Sequence, residues 1–136
     1  MRASLCISLL AASVVATTPL AADAQAGSGT TATTAFDGTY IGIPTADPQN
    51  KTPPCGQPQP QVLDVKGGAA KLRSAIDTRS GQVQEDGRLL MTGEQIYGST
   101  HIKGLVEGRF SGNGFEGTSR FSETGCIFHW ALAKAH

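Results

Sequence analysis

Three dipeptides, Gly67-Gly68, Asp86-Gly87 and Asn113-Gly114, each separate two short strand-like runs, and they restrict this chain more than any other feature. Two-residue loops of these types accept positive φ and match the right-handed twist of paired strands, so each predicts a β-hairpin. The flanking runs are Gln61 to Lys66 and Ala69 to Arg73, Gly81 to Glu85 and Arg88 to Thr92, and Arg109 to Ser111 and Phe115 to Thr118. Three hairpins in so short a chain call for an antiparallel sheet. All 17 glycines lie beyond residue 26, about double the ordinary share of ~7%, which suits tight turns and disfavours helices.

Alternation of side chains agrees. Ile102, Gly104, Val106, Gly108 and Phe110 share one parity, opposite His101, Lys103, Glu107 and Arg109, with Leu105 the apolar exception. Phe115, Gly117, Ser119 and Phe121 share a face, as do Cys126, Phe128, Trp130 and Leu132. A period of two is the signature of half-buried strands. About eight runs qualify, near 36–43, 61–66, 69–76, 81–85, 88–93, 99–111, 114–122 and 126–134.

The first two dozen residues read as an export signal. Met1-Arg2 supplies a short positive start, Leu5 to Val15 an apolar stretch too short to span a bilayer, and small residues offer cleavage after Ala24 or Ala26. Residues 1–26 are therefore expected to be removed, with Cys6 among them; GSGTTATTA over 27–35 forms a flexible leader, and 36–136 a single β domain. Removal takes Arg2 and Asp23, so 11 basic and 11 acidic residues become 10 and 10. A neutral domain without charge blocks offers no electrostatic case for nucleic acid or an anionic membrane.

The remaining cysteines, Cys55 and Cys126, form an even pair in an exported chain and predict one disulfide. In an eight-strand meander the first and last strands run antiparallel, so the end of the first lies beside the start of the last. Cys55 follows the first run and Cys126 opens the last. The expectation is a small antiparallel up-and-down barrel of about eight strands; a two-sheet sandwich is the alternative.

Pro44 to Pro60 holds six prolines, and their missing N–H groups and fixed φ keep the segment out of a sheet interior. It is expected to be a loop pinned by Cys55, and a long loop on a rigid scaffold is a place for binding. Pro48, Asn50, Lys51, Pro53 and Pro54 are the residues it would present.

Motifs for chemistry are few. Gly112 to Gly117 spells G-x-G-x-x-G, but an alternating run follows it in place of a helix, so it reads as a turn. His101, His129 and His136 have no partners at ligand spacing, so neither metal nor cofactor is expected. Ser111 lacks a G-x-S-x-G elbow, and Glu85 and Asp86 are adjacent residues facing different ways. No catalytic residue is assigned. The aromatic residues could line a ligand cavity or fill the interior against glycine, and Asn50-Lys51-Thr52 has the form of a glycosylation sequon.

The runs Phe36 to Gly42, Gly104 to Phe110 and Gly125 to Leu132 resemble a group of small exported proteobacterial proteins of unknown function, from which no activity or catalytic residue follows. A more distant likeness, in size, export and β content, is to periplasmic barrel-type inhibitors of proteases or lysozyme. The expected function is a non-enzymatic periplasmic or secreted module that binds a protein or small ligand of the envelope through the proline-rich loop. The alternatives are an inhibitor of a hydrolase, a carrier of a small apolar ligand and an enzyme of unrecognised type.

Overall fold

The computed structural model describes residues 33–136; the signal peptide expected over 1–26 and most of the leader expected over 27–35 lie outside the described residues. Nine strands form: β1 (Gly38–Gly42), β2 (Thr45–Ala46), β3 (Gln61–Lys66), β4 (Ala69–Leu72), β5 (Ser80–Val83), β6 (Arg88–Tyr97), β7 (Thr100–Ser111), β8 (Gly114–Phe121) and β9 (Ile127–Lys134). From β3 to β9 each strand pairs antiparallel with the next, and β1 pairs with β3 on one side and β9 on the other. The sheet closes on itself. It is an eight-strand antiparallel barrel with one extra strand, not a sandwich, and the β1–β9 pairing closes what would otherwise be the two edges of the meander.

The extra strand corrects the reading of Pro44 to Pro60 as loop throughout. Tyr40 faces Lys134 and Ile41 faces Ala133 on β9; Thr45 then faces His129 and Ala46 faces Phe128. The register is unbroken, so β2 continues β1 down the same neighbour, and the loop proper begins at Asp47. Between them the backbone at Gly42 passes so close to β9 that a Cβ there would lie 2.6 Å from the Ala131 carbonyl oxygen.

The hairpins form where expected, with adjustments. Gly67 and Gly68 take φ of 60° and 76°, as a two-residue turn with both centres left-handed requires. Asp86 sits in a three-residue loop closed by Gly87 at φ 84°. The turn expected at Asn113-Gly114 is displaced by one residue: the left-handed centre is Gly112, at φ 57°, and Gly114 already opens β8. A fourth tight turn, Gly98-Ser99 with Gly98 at φ 61°, joins β6 to β7. The run expected over 88–93 is longer in the structure: β6 continues to Tyr97. At Gly93 the strand does not stop; a neighbouring backbone crosses it, and a Cβ would lie 2.8 Å from Arg79 N. The strand expected over 69–76 stops at Leu72, because the Ser74 hydroxyl takes the N–H groups of Ile76 and Asp77 at 3.2 Å and turns the chain out of the ladder.

The two halves of the barrel are filled differently. Where β1 and β8 begin and β7 ends, Phe110 lies 4.8 Å from both Tyr40 and Phe115 between ring centroids, and Phe36 stacks on it at 5.4 Å. Phe115 leans over Gly108 and Gly117, whose missing side chains leave room for the ring. Leu63, Val65, Val83, Leu89, Met91 and Val106 complete this core, all buried. Each such side chain stabilises the fold by roughly 1.5–3 kcal/mol on burial. Burial also pushes the Tyr40 hydroxyl above the usual tyrosine range, and it donates to the Phe36 carbonyl at 2.9 Å. This end of the barrel is solid.

Candidate binding site

The opposite end is hollow. Strands β3 and β9 begin there, β6 and β8 finish there, and the loop from Asp47 to Pro60 arches over it. They enclose a cavity of about 480 Å³, within the ~300–1,000 Å³ usual for small-molecule sites. Pro54, Pro58 and Pro60 from the loop line it together with Gln57, Gln59 and Gln61, and Ile102, Phe121 and Phe128 line it from the strands; Ile76 and Tyr97 stand exposed.

The floor carries a pair of charges. Asp77, Arg79, Gly81 and Val83 share the inward parity of β5 and the segment leading into it, so the barrel's own alternation carries both charged side chains inside. Arg79 is 1% exposed and Asp77 6%. Arg79 Nε donates to Asp77 Oδ1 at 2.9 Å and Nη2 donates to Oδ2, making a two-point pair; Nη1 donates to Ser119 Oγ at 3.2 Å. Gln95 adds its Nε2 to Asp77 at 3.1 Å and accepts from the Tyr97 hydroxyl at 3.2 Å. The guanidinium is flanked by aromatic rings, 4.8 Å from the centroid of Phe121 and 5.7 Å from that of Trp130. Trp130, on β9, lines the cavity, and its buried indole N–H has no acceptor among the described residues.

Such a floor is expensive. Desolvating two ions costs several kcal/mol each, and a buried pair is often no more stabilising than apolar side chains of the same volume. What it does provide is a fixed array of hydrogen-bonding groups under an open mouth.

At the rim, Arg73 pairs with Asp64 through Nε at 2.8 Å and Nη2 at 2.7 Å, and Thr39 donates to the same carboxylate at 2.8 Å. The guanidinium beside it holds the Asp64 carboxyl below the usual range.

The loop is held at three points. The Asn50 amide donates to the Ile127 carbonyl at 2.7 Å and its oxygen accepts the Ile127 N–H at 2.9 Å, so it pairs with β9 like a strand residue. Asp47 accepts from Gln49 N and meets His129 Nε2, both at 2.8 Å, and these contacts hold its carboxyl low. Cys55 and Cys126 form the expected disulfide, 71 positions apart in sequence. This cystine lies in the cavity wall.

Of the residues singled out in this loop, the structure brings only Pro54 to the cavity. Pro48, Lys51 and Pro53 face solvent, and Asn50 is occupied in anchoring. The wall is instead made by the later stretch, Cys55 to Pro60. Asp77, Arg79 and Gln95 were not legible as site residues because charged and amide side chains ordinarily stay outside. A usable signal existed: extending the parity of Val83 and Gly81 backward puts both charges indoors. The histidines lie on the outer surface, His101 against Glu94 at 2.8 Å and His129 against Asp47, and no group of three metal-ligating side chains converges among the described residues.

Comparison of the chain with protein-family models, with curated proteins and with solved structures finds no match.

Proposed function

We propose that the protein is a non-catalytic binding module that holds a small molecule in the hollow end of its barrel, under the proline-rich loop. The observation that carries this reading is the buried Asp77–Arg79 pair at the floor of an open 480 Å³ cavity. A core optimised for stability alone would fill that end with apolar side chains, as the opposite end is filled. The cavity mixes apolar side chains with polar ones from the floor and the loop, and its covering loop is tied beside the start of β9 by a cystine and by Asn50. Purification from the native host followed by native mass spectrometry tests it: a bound small molecule is expected, released on denaturation. Recovery of the protein bare from its own host, with a macromolecular partner attached outside the cavity, would count against it.

We further propose that the chain works outside the cytoplasm. The disulfide supports this, since such bonds persist in oxidising compartments, and so does the signal-like start of the sequence. Intact-mass measurement should find a mature chain beginning at Gln25 or Gly27 with its two cysteines oxidised.

A further inference from the structure

We infer that the cavity selects an uncharged molecule that places a hydrogen-bond acceptor on the Arg79 and Trp130 floor and an apolar body against the prolines, Ile102 and Phe121. This rests on the reading of the hollow end as a ligand site and names the class of ligand. Three observations lead to it.

The first is charge. Arg79 is matched by Asp77 on the floor, and Arg73 by Asp64 at the rim, so both cations that line the cavity are already neutralised. An anionic ligand would put a second negative charge beside Asp77, and a cationic one would face the Arg79 guanidinium. In either case a desolvated charge would go unmatched, which costs more than it returns.

The second is the balance of spare donors over spare acceptors at the floor. Asp77 and Ser119 take three of the five guanidinium N–H groups, leaving one on each terminal nitrogen. The indole N–H of Trp130 adds another donor without a partner. The acceptors of the floor itself are already engaged: Asp77 receives Arg79 and Gln95, and the Gln95 oxygen receives Tyr97. The floor therefore offers donors and asks for an oxygen or nitrogen lone pair.

The third is the wall. Pro58, Pro60, Ile102 and Phe121 present apolar surface in the same cavity, with Gln57, Gln59 and Gln61 beside the prolines, and Tyr97 and Ile76 add to it. A ring or branched aliphatic body would fill this space, with its amide, ester or ketone oxygen directed downward.

The experiment uses the disulfide-bonded, nitrogen-labelled protein and three probes of one skeleton: phenylpropionamide, phenylpropionate and phenylpropylamine. Trp130 is the only tryptophan, so its indole N–H gives a single isolated resonance that reports on the floor. The amide should move that resonance along with those of residues 55 to 60, and should bind at least about tenfold more tightly than either charged probe. The paired substitution D77L/R79M removes both charges at similar volume. It should retain the indole signal of a folded barrel and lose about tenfold or more in affinity for the amide. Preference for the carboxylate or the amine, or amide binding that leaves the indole resonance in place, would overturn the ligand class while leaving the cavity a binding site. If no probe moves any cavity resonance, the binding-site reading falls with it.

Discussion

Arg79 shows how strongly one residue can be committed to two tasks. Its guanidinium reaches from Asp77 to Ser119 and lies between two rings, so removing either charge alone leaves the other buried at the cavity floor without its partner. Arg79→Ala or Asp77→Ala should each cost about 3–5 kcal/mol of stability, whereas D77L/R79M should fall within about 1 kcal/mol of wild type. Urea unfolding followed by Trp130 fluorescence separates the cases. Equal losses in the single and paired variants would mean that the ion pair itself holds the barrel together. Gly108 is a residue-scale commitment of another kind. A Cβ there would meet the Glu116 carbonyl at 2.3 Å and Phe115 Cζ at 2.5 Å, so Gly108→Ala should destabilise by about 1–3 kcal/mol through overpacking. The same substitution at Gly56, where a Cβ meets nothing within 4 Å, should be nearly silent.

At the scale of elements, the proline-rich loop and β9 behave as one unit. The continuous register of β1 and β2 along β9, the Asn50 pairing with Ile127 and the cystine all attach the same stretch to the same strand. Asn50→Ala should therefore raise amide hydrogen exchange over residues 47 to 55 while leaving the paired amides of β6 and β7 protected. Uniformly faster exchange across the barrel would show that the loop and the barrel open together. Replacing both cysteines with serine should cost roughly 2–4 kcal/mol, and because Cys55 lies in the cavity wall, the wall should loosen as well.

For the whole molecule, acid is the informative variable. Asp37 is held low by the Gly68 and Gly67 N–H groups, Asp64 by Arg73, Asp86 by the Arg88 N–H and Glu123 by the Ser122 hydroxyl, and Asp47 joins them. A carboxyl whose pKa is lower in the folded chain than in the unfolded one stabilises the fold fully above the unfolded value, about 4, and loses that contribution as pH falls through the folded value. Stability should thus be flat near neutrality and decline below about pH 4. These groups join different parts of the barrel: Asp37 binds the β3–β4 turn to the start of β1, and Asp64 joins β3 to Thr39 and Arg73. A midpoint that stayed constant from neutrality through the carboxylate range would show that these contacts are also present in the unfolded chain.

The sequence by itself determined most of the strands, the parity of most side chains and the cystine, and it favoured a closed meander over a two-sheet sandwich. Those features rest on local rules: glycine where φ must be positive, alternation on a pleated backbone, and a pair of cysteines placed after the first strand and before the last. The placement of the Gly112 turn one residue early, and the passage of β6 through Gly93, depended on contacts between strands that no local rule reports. Only the tertiary structure decided that the aromatic residues divide, with Phe36, Tyr40, Phe110 and Phe115 sealing one end, Phe121 bordering a space at the other, and Trp130 and Phe128 packing on the core and lining that space. It alone decided that Asp77 and Arg79 face inward together. The physical reason is that burial belongs to the closed barrel and not to the residue: a charged side chain enters a core only when its partner, its flanking rings and its remaining hydrogen bonds arrive from other strands, and chain closure brings them there.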